Sequence, residues 1–322
     1  MDDTSKNIAS LDIGSHTARM LVSQWSKTEG LKPLAKRRAF VRLAEDFEAQ
    51  EPGTIKPAAQ ERVLLVLEDF ARTARELCAT EIVAVATGVV REARNQLSFL
   101  EAIKNRTGIR VKALSGEEEA SLTGLGVRHA LHIEREPFVI FDLGGGSTEF
   151  LTEVGGTARA YSLPLGAALY THRFLRSDPP FPWEIESLER EISEVLQASV
   201  LARPSGKYLL VGTGGTVTTL ASLIHKVGVD QINAERMNGL ILTMADLEGL
   251  LGKMKKMARQ ERVDLLGLEA ERAEVILAGF LIVMKIMQDF HSSELTVSLS
   301  DLLEGALLDF VTWRRCDANE RF

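Results

Sequence analysis

Three segments of the chain bring small residues, hydroxyls and carboxylates together in a way suited to handling phosphate. They are Asp12-Ile-Gly-Ser15, Asp142-Leu-Gly-Gly-Gly-Ser147 and Gly212-Thr-Gly-Gly-Thr216, each following an apolar run. Successive backbone N–H groups in such turns form a nest for an anion, and absent side chains let phosphate oxygens approach the main chain. The candidate phosphate-binding residues are therefore Gly14, Ser15 and Thr17, then Gly144, Gly145, Gly146, Ser147 and Thr148, then Gly212, Thr213, Gly214, Gly215 and Thr216. One such turn alone reads more simply as a tight hairpin, but three with hydroxyls reverse that balance. None carries the Lys of a Walker loop, and none is a full dinucleotide fingerprint.

Acids beside these turns sharpen the reading. Asp12 and Asp142 stand where a carboxylate should repel a phosphate, and a Mg²⁺ (or Mn²⁺) between them would remove the repulsion. Glu149 follows on the second hairpin, on the face shared with Ser147. Asp12, Asp142 and Glu149 are the candidate metal ligands; the alternative is that they cap their turns as Asx motifs. Arg91 falls just past the carboxyl end of the apolar strand 81–86, where ligand sites of α/β folds sit, and its planar donors suit a phosphate. Taken alone, it would be a surface residue. The run Ser115-Gly-Glu-Glu-Glu-Ala120 offers a general base, although acids at a helix start also offset the helix dipole. Periodicity does not choose among Glu117, Glu118 and Glu119.

The elements that position these residues alternate. Residues 8–22 and 138–151 share one grammar, an apolar run, a Gly-rich turn and a second apolar run, and both read as β-hairpins whose turns permit positive φ and close backbone approach. Between them the pattern predicts a helix over 57–78, a central strand over 81–86 covered on both faces, a helix over 92–106, a strand over 109–114 and a helix over 116–131. Beyond them come a strand over 157–163, a helix over 183–201, a strand from 208 into the third glycine turn with a helix to 224, mostly helix up to a short strand at 295–298, and a last helix over 302–313. The repeated hairpin implies two related halves with mixed α/β sheets, joined by a hinge near 128–136.

Composition bounds the rest. The 322 residues suffice for two domains, and the net charge of −7 argues against nucleic acid as a partner. No apolar run reaches membrane-spanning length; the most apolar stretch, 275–287, is interrupted by Lys285 and reads as a buried helix. The polar, acidic segment 1–6 lacks the order of a signal peptide, which predicts a cytoplasmic protein. Cys78 and Cys316 show no ligand or disulfide spacing.

In order along the chain, Leu11-Asp-Ile-Gly-Ser15, Val41-Arg-Leu43, Ala86-Thr87 with Arg91, Ser115-Gly-Glu-Glu-Glu-Ala120, Phe141-Asp-Leu-Gly-Gly-Gly-Ser-Thr-Glu149, Leu163-Pro-Leu-Gly166, Gly212-Thr-Gly-Gly-Thr216, Glu271-Arg-Ala273 with Gly279, and Glu304-Gly305 resemble the exopolyphosphatase/guanosine pentaphosphate phosphohydrolase (Ppx/GppA) family. This family lies within the actin, sugar-kinase and Hsp70 superfamily. The resemblance implies two actin-like (ribonuclease H-like) domains facing each other across a cleft, over 1–130 and 131–305, with the C-terminal helix 306–322 packing back on the first. It implies Glu119 as the water-activating base, Arg91 as phosphate clamp, and Asp142 and Glu149 as Mg²⁺-associated acids. The length matches the short branch without an appended helical domain.

Two positions depart from the family pattern. His16-Thr17 stands where the family has Asn-Ser, so His16 is either an additional phosphate-binding residue or a packed ring. Leu302-Leu303-Glu304-Gly305 replaces Leu-Arg-Glu-Gly. The activity implied is hydrolysis of the terminal phosphoanhydride of polyphosphate, or conversion of guanosine pentaphosphate to guanosine tetraphosphate. A kinase of the same superfamily and a non-catalytic sensor of polyphosphate or guanosine tetraphosphate are the alternatives. Small members of the family often pair, so a homodimer is one expectation.

Overall fold

The computed structural model describes residues 5–43, 53–134 and 136–319, without the side chains of residues 265 and 313–319. Most of the acidic segment 1–6 and the side chain of Cys316 fall outside these residues. The strands β1 (Lys6–Ile13), β2 (Thr17–Ser26) and β3 (Gly30–Phe40) come first, followed by α1 (Pro57–Glu76), β4 (Ala79–Ala86), α2 (Gly88–Glu92), α3 (Gln96–Thr107), β5 (Val111–Ala113) and α4 (Gly116–Leu131). Next are β6 (Phe138–Leu143), β7 (Thr148–Val154), β8 (Thr157–Leu163), α5 (Ala167–Phe174), α6 (Pro182–Ala198), β9 (Leu209–Thr213) and α7 (Gly215–His225). The chain ends with α8 (Ala234–Met237), β10 (Ile241–Thr243), α9 (Met244–Met254), α10 (Arg259–Leu266), α11 (Ala270–Asp289), β11 (Glu294–Val297) and α12 (Leu302–Asn319).

Two compact units result: residues 1–126 with 302–322, and residues 127–301. The first has a five-stranded sheet in the order β3-β2-β1-β4-β5, antiparallel across β3-β2-β1 and parallel across β1-β4-β5. Every residue of β1 from Ile8 to Ile13 is buried, because both faces are covered. Leu11, Ile13, Met20 and Val22 pack with Val63, Leu67 and Phe70 of α1 and Phe99 of α3. Ile8 and Leu21, on the opposite face, pack with Leu303, Leu307 and Val311 of α12. Leu303, where the family pattern has Arg, is thus a core residue. α12 crosses α4 closely: a Cβ on Gly305 would overlap the Leu122 carbonyl, which accounts for the glycine of the Glu-Gly signal.

The second unit has a six-stranded sheet in the order β10-β11-β9-β6-β7-β8. β9 and β11 run parallel to β6, while β7, β8 and β10 are antiparallel to their neighbours. Phe141, Phe150 and Val217 pack with Ile276, Phe280 and Val283 of α11. From Val275 to Met284 every residue of α11 is buried, so this apolar helix is a core helix; among the described residues no helix is long and apolar enough to cross a membrane. Lys285 reaches out to Glu189, 3.8 Å away.

The fold differs from the sequence pattern in several places, and α5 and β10 are also absent from that pattern. β3 is absent from the pattern because an edge strand reading Gly-Leu-Lys-Pro-Leu-Ala-Lys-Arg-Arg-Ala-Phe is largely solvated and carries Pro33 at a register shift, as edge strands do. β4 is interior, between β1 and β5, and packs on both faces, through Ala84 and Ala86 on one and Val83 and Val85 on the other, but only Ala84, Val85 and Ala86 are fully buried. The helix expected over 92–106 is α3, starting at Gln96: a separate short helix, α2, closes at Glu92, and Asn95 binds Ile55 through both its side-chain groups before α3 begins.

Candidate functional site

The first two glycine turns share one geometry. Gly14 N donates to Thr17 O at 2.9 Å, and Gly144 N donates to Ser147 O at 3.0 Å. A Cβ on either glycine would sit 3.1 Å from the carbonyl it serves. Gly14, Gly144, Gly145 and Gly146 all have ordinary negative φ, so these turns use glycine for close approach and not for the left-handed conformation the pattern suggested. Positive φ belongs to the third turn, at Gly214 (95°), where a Cβ would stand 2.7 Å from Asp142 Oδ1.

Each turn is held from behind. Ser15 Oγ accepts from Val89 N at 3.1 Å, and a Cβ on Gly88 would overlap that hydroxyl, so the first turn is tied to the start of α2. The second turn is gripped by α5: Ala167 N donates to Gly144 O, and Ala168 N and Leu169 N donate to Gly145 O, at 2.9–3.0 Å. A Cβ on Gly166 would overlap Gly145 and Gly146, so this glycine belongs to the turn's architecture. Thr148 Oγ1 is buried and donates to Leu165 O, which commits its proton to the fold. Ser147 remains half-buried at the turn. In the third turn Gly212 is a packing glycine under Phe141, Val217 and Leu295, and Thr216 is buried against Gly279 of α11. Thr213 Oγ1 is buried without a hydrogen-bond partner among the described residues, one strand away from Asp142 in direct register.

The acids of the two hairpins have opposite company. Asp12 pairs in register with Arg19, whose Nε and Nη2 donate to Oδ2 at 3.0 and 2.7 Å. Asp142 pairs in register with Glu149, and both are buried. Ser162 Oγ donates to Glu149 Oε1 at 2.8 Å from the next strand. Like charges directly opposite on adjacent strands repel, so the Asp142–Glu149 pair suits a cation. Two hard carboxylates with a nearby hydroxyl match Mg²⁺, which takes one or two carboxylates and completes its shell with water and phosphate oxygens. Among the described residues no three His, Cys, Asp or Glu side chains form a metal cluster, and Asp12, also a sequence candidate, is held by a guanidinium.

The three glutamates of α4 separate cleanly. Ser115 Oγ accepts from Glu118 N at 3.1 Å and Ser115 N donates to Glu118 Oε2 at 2.9 Å, a capping box that also engages Lys112. The hydrogen bond from Lys112, then that from Ser115, hold the Glu118 carboxyl below its usual range. Glu117 is exposed. Glu119 is only 8% exposed and accepts from Arg91 Nη1 at 2.9 Å. Arg91 sits in the last turn of α2 and also donates to Leu114 O at 3.2 Å; its Nε and Nη2 have no partner among the described residues. The two residues proposed for catalysis from opposite ends of a 28-residue separation are therefore in direct contact.

His16 packs edge-on against Phe40 with centroids 5.5 Å apart, and its carbonyl accepts from Val41 N and Arg42 N. Two arginines at the turns are not among the sequence candidates. Arg19 was legible, since a turn pairing Ile13 with Ala18 must pair Asp12 with Arg19. Arg272, whose guanidinium lies against Gly215 so that a Cβ there would overlap it, stands in the Glu271-Arg-Ala273 signal, but nothing in that segment points to the third turn.

A model of the Ppx/GppA phosphatase family matches residues 21–312. The chain belongs to this family. It is 31% identical to Exopolyphosphatase 1 of Mycobacterium leprae over 96% of its own length and 89% of that protein. With Exopolyphosphatase 2 of Mycobacterium tuberculosis it shares 29% identity, covering 94% of this chain and 97% of the relative. Among solved structures, the Ppx/GppA family member of Aquifex aeolicus superposes with a TM-score of 0.79 at 30% identity, covering 97% of this chain and 99% of that one. An exopolyphosphatase from Cytophaga hutchinsonii shares the fold with a TM-score of 0.84. The two mixed α/β units are thus the actin-like units of a Ppx/GppA phosphohydrolase. Within that family the signals Gly166, Gly279 and Gly305 acquire a physical meaning, as the points where a turn, a threonine and a helix respectively press on the main chain.

Proposed function

We propose that this protein hydrolyses the terminal phosphoanhydride bond of inorganic polyphosphate, releasing orthophosphate. The observation that carries the reading is the Arg91–Glu119 pair: a buried carboxylate, oriented by a guanidinium that keeps two nitrogens for a ligand. Glu119 takes the proton from the attacking water, and Arg91 fixes its lone pairs while Nε and Nη2 engage phosphoryl oxygens. Within each unit the glycine turns offer amides and hydroxyls to phosphate, with Ser15 as side-chain donor in the first and Ser147 in the second. Asp142 and Glu149 would hold Mg²⁺, which supplies charge neutralisation for the phosphoryl oxygens. Arg272, beside Gly215, adds a cation at the third turn.

Polyphosphate is favoured because relatives at 29–31% identity are named exopolyphosphatases. Guanosine pentaphosphate offers the same terminal bond and is the second substrate to test. Phosphate release from long-chain polyphosphate and guanosine pentaphosphate, measured side by side with Mg²⁺, decides between them. Glu119→Gln should lower turnover by about 10²–10⁴-fold while leaving the near-ultraviolet dichroism unchanged. Full turnover in that variant would remove Glu119 from the role. Release from neither substrate, with polyphosphate binding intact, would make the protein a sensor.

A further inference from the structure

Within the unit of residues 127–301 a second polar pocket of about 300 Å³ opens beside the C-terminal half of α5. The glycine turn lies at the other end of this eight-residue helix, roughly 12 Å along its axis. Three guanidiniums line the pocket, Arg176, Arg259 and Arg262, against two carboxylates, Asp178 and Glu274, with His172 at its edge.

Arg262 is the unusual member, being only 4% exposed. Its Nε donates to Ala273 O at 3.1 Å and its Nη1 to Met257 O at 2.9 Å. Nη2 makes no hydrogen bond among the described residues; the carboxylate nearest to it, Asp178, stands 3.9 Å away. Arg259 is similarly short of compensation, with Nη1 3.7 Å from Glu274 Oε1. Burial lowers the Arg262 pKa, Asp178 opposes this, and the positive charge of Arg259, which lines the same pocket, lowers it further. Arg176 has no side-chain partner among the described residues.

The walls are fixed in advance. Glu184, 1% exposed, accepts from Arg176 N at 2.9 Å, Ser177 N at 3.2 Å, Phe181 N at 2.8 Å and the Ser177 hydroxyl, which pins the loop between α5 and α6. Asp178 Oδ1 accepts from Arg259 N at 2.7 Å, joining that loop to α10 and spending part of its charge there. A buried guanidinium with an unspent nitrogen, a second cation repelling it and a third on a pinned loop are relieved together by one anion.

We propose that this pocket binds an oxyanion of the phosphate class, apart from the glycine turns. Donors converging from α10 and from the 176–181 loop suit a tetrahedral anion better than a planar carboxylate, which a single guanidinium fork satisfies. The occupant is either free orthophosphate or one phosphate of a polyphosphate chain. The pocket shares α5 with the second turn and α11 with the third, since Ala273, held by Arg262, follows Arg272 at Gly215.

The test is a titration of the full chain with inorganic phosphate in Mg²⁺-free buffer, following the His172 ring signals by NMR. Wild type and Arg173→Gln should show the same saturable shift, because Arg173 lies on α5 but pairs with Glu191 outside the pocket. Arg259→Gln should raise the midpoint at least about tenfold, and Arg176→Gln should act in the same direction. Absence of a saturable His172 shift in wild type, or an unchanged midpoint in both pocket variants, overturns the proposal. Repeating the titration with tripolyphosphate names the source: a much lower midpoint assigns the site to a chain, and an equal or higher one to orthophosphate.

Discussion

In the β1–β2 hairpin the acid ending the first strand, Asp12, faces Arg19, whereas in the β6–β7 hairpin the equivalent acid, Asp142, faces Glu149. The row continues on the third strand, where Arg19 lies opposite Arg38 and Glu149 opposite Ser162. The main-chain turns are interchangeable, down to a 3.1 Å approach of the missing Cβ to the same carbonyl. One residue per hairpin has therefore changed a neutralised turn into an acidic one. In the function proposed, the backbone cradle would set where a phosphate is received, and the cross-strand partner whether protein charge or a metal ion receives it with the cradle.

That contrast is open to attack at both ends. The largest effect is expected in the second hairpin: Asp142→Asn or Glu149→Gln should cut phosphate release by about 10²–10³-fold, as loss of electrostatic support at a phosphoryl centre does. Thermal unfolding of the same variants should show no loss of stability, because a like-charge pair has been relieved. The next effect concerns what grips the turns. Gly166→Ala should destabilise the protein by about 3 kcal/mol or more in urea unfolding, since main chain meets the new methyl, and a cost under about 1 kcal/mol would show that α5 yields easily. Asp12→Asn should cost about 1–3 kcal/mol, leaving Arg19 without its ionised partner, so the equivalent substitution has opposite consequences for stability in the two hairpins. The smallest effect is thermal: Mg²⁺ at about 10–100 times its dissociation constant should stabilise wild type by about 1–3 kcal/mol, and Asp12→Asn by a similar amount. Glu149→Gln should lose that increment. If instead Asp12→Asn loses it, the metal belongs with the first hairpin.

Much of this was readable from residue order, for identifiable reasons. The hairpins announced themselves because two apolar runs flank a turn of invariant grammar, and α11 because an unbroken apolar stretch of helical length must be buried. Glu119 could not be chosen from its neighbours by periodicity, since consecutive residues differ only in direction; the capping box decides, by spending Glu118 on Ser115 and turning Glu119 inward. β3 escaped because a solvated edge strand has no inside to alternate with. Arg272 escaped for a different reason: its neighbour Gly215 is 57 residues earlier, and nothing near either residue encodes their meeting. The negative φ of the first two turns was misjudged because close packing and left-handed backbone select the same residue.

The last helix has a consequence for how the molecule is made. The face of the first sheet that carries Ile8 and Leu21 is covered by Leu303, Leu307 and Val311. During synthesis that face leaves the ribosome bare and waits while residues 127–301 emerge, so the second unit, continuous in sequence, has all its elements in hand before the first, which still lacks α12. A chain stopped before Leu302 would keep both glycine hairpins and expose an apolar sheet face, a species for chaperones to hold rather than an enzyme with a shortened tail.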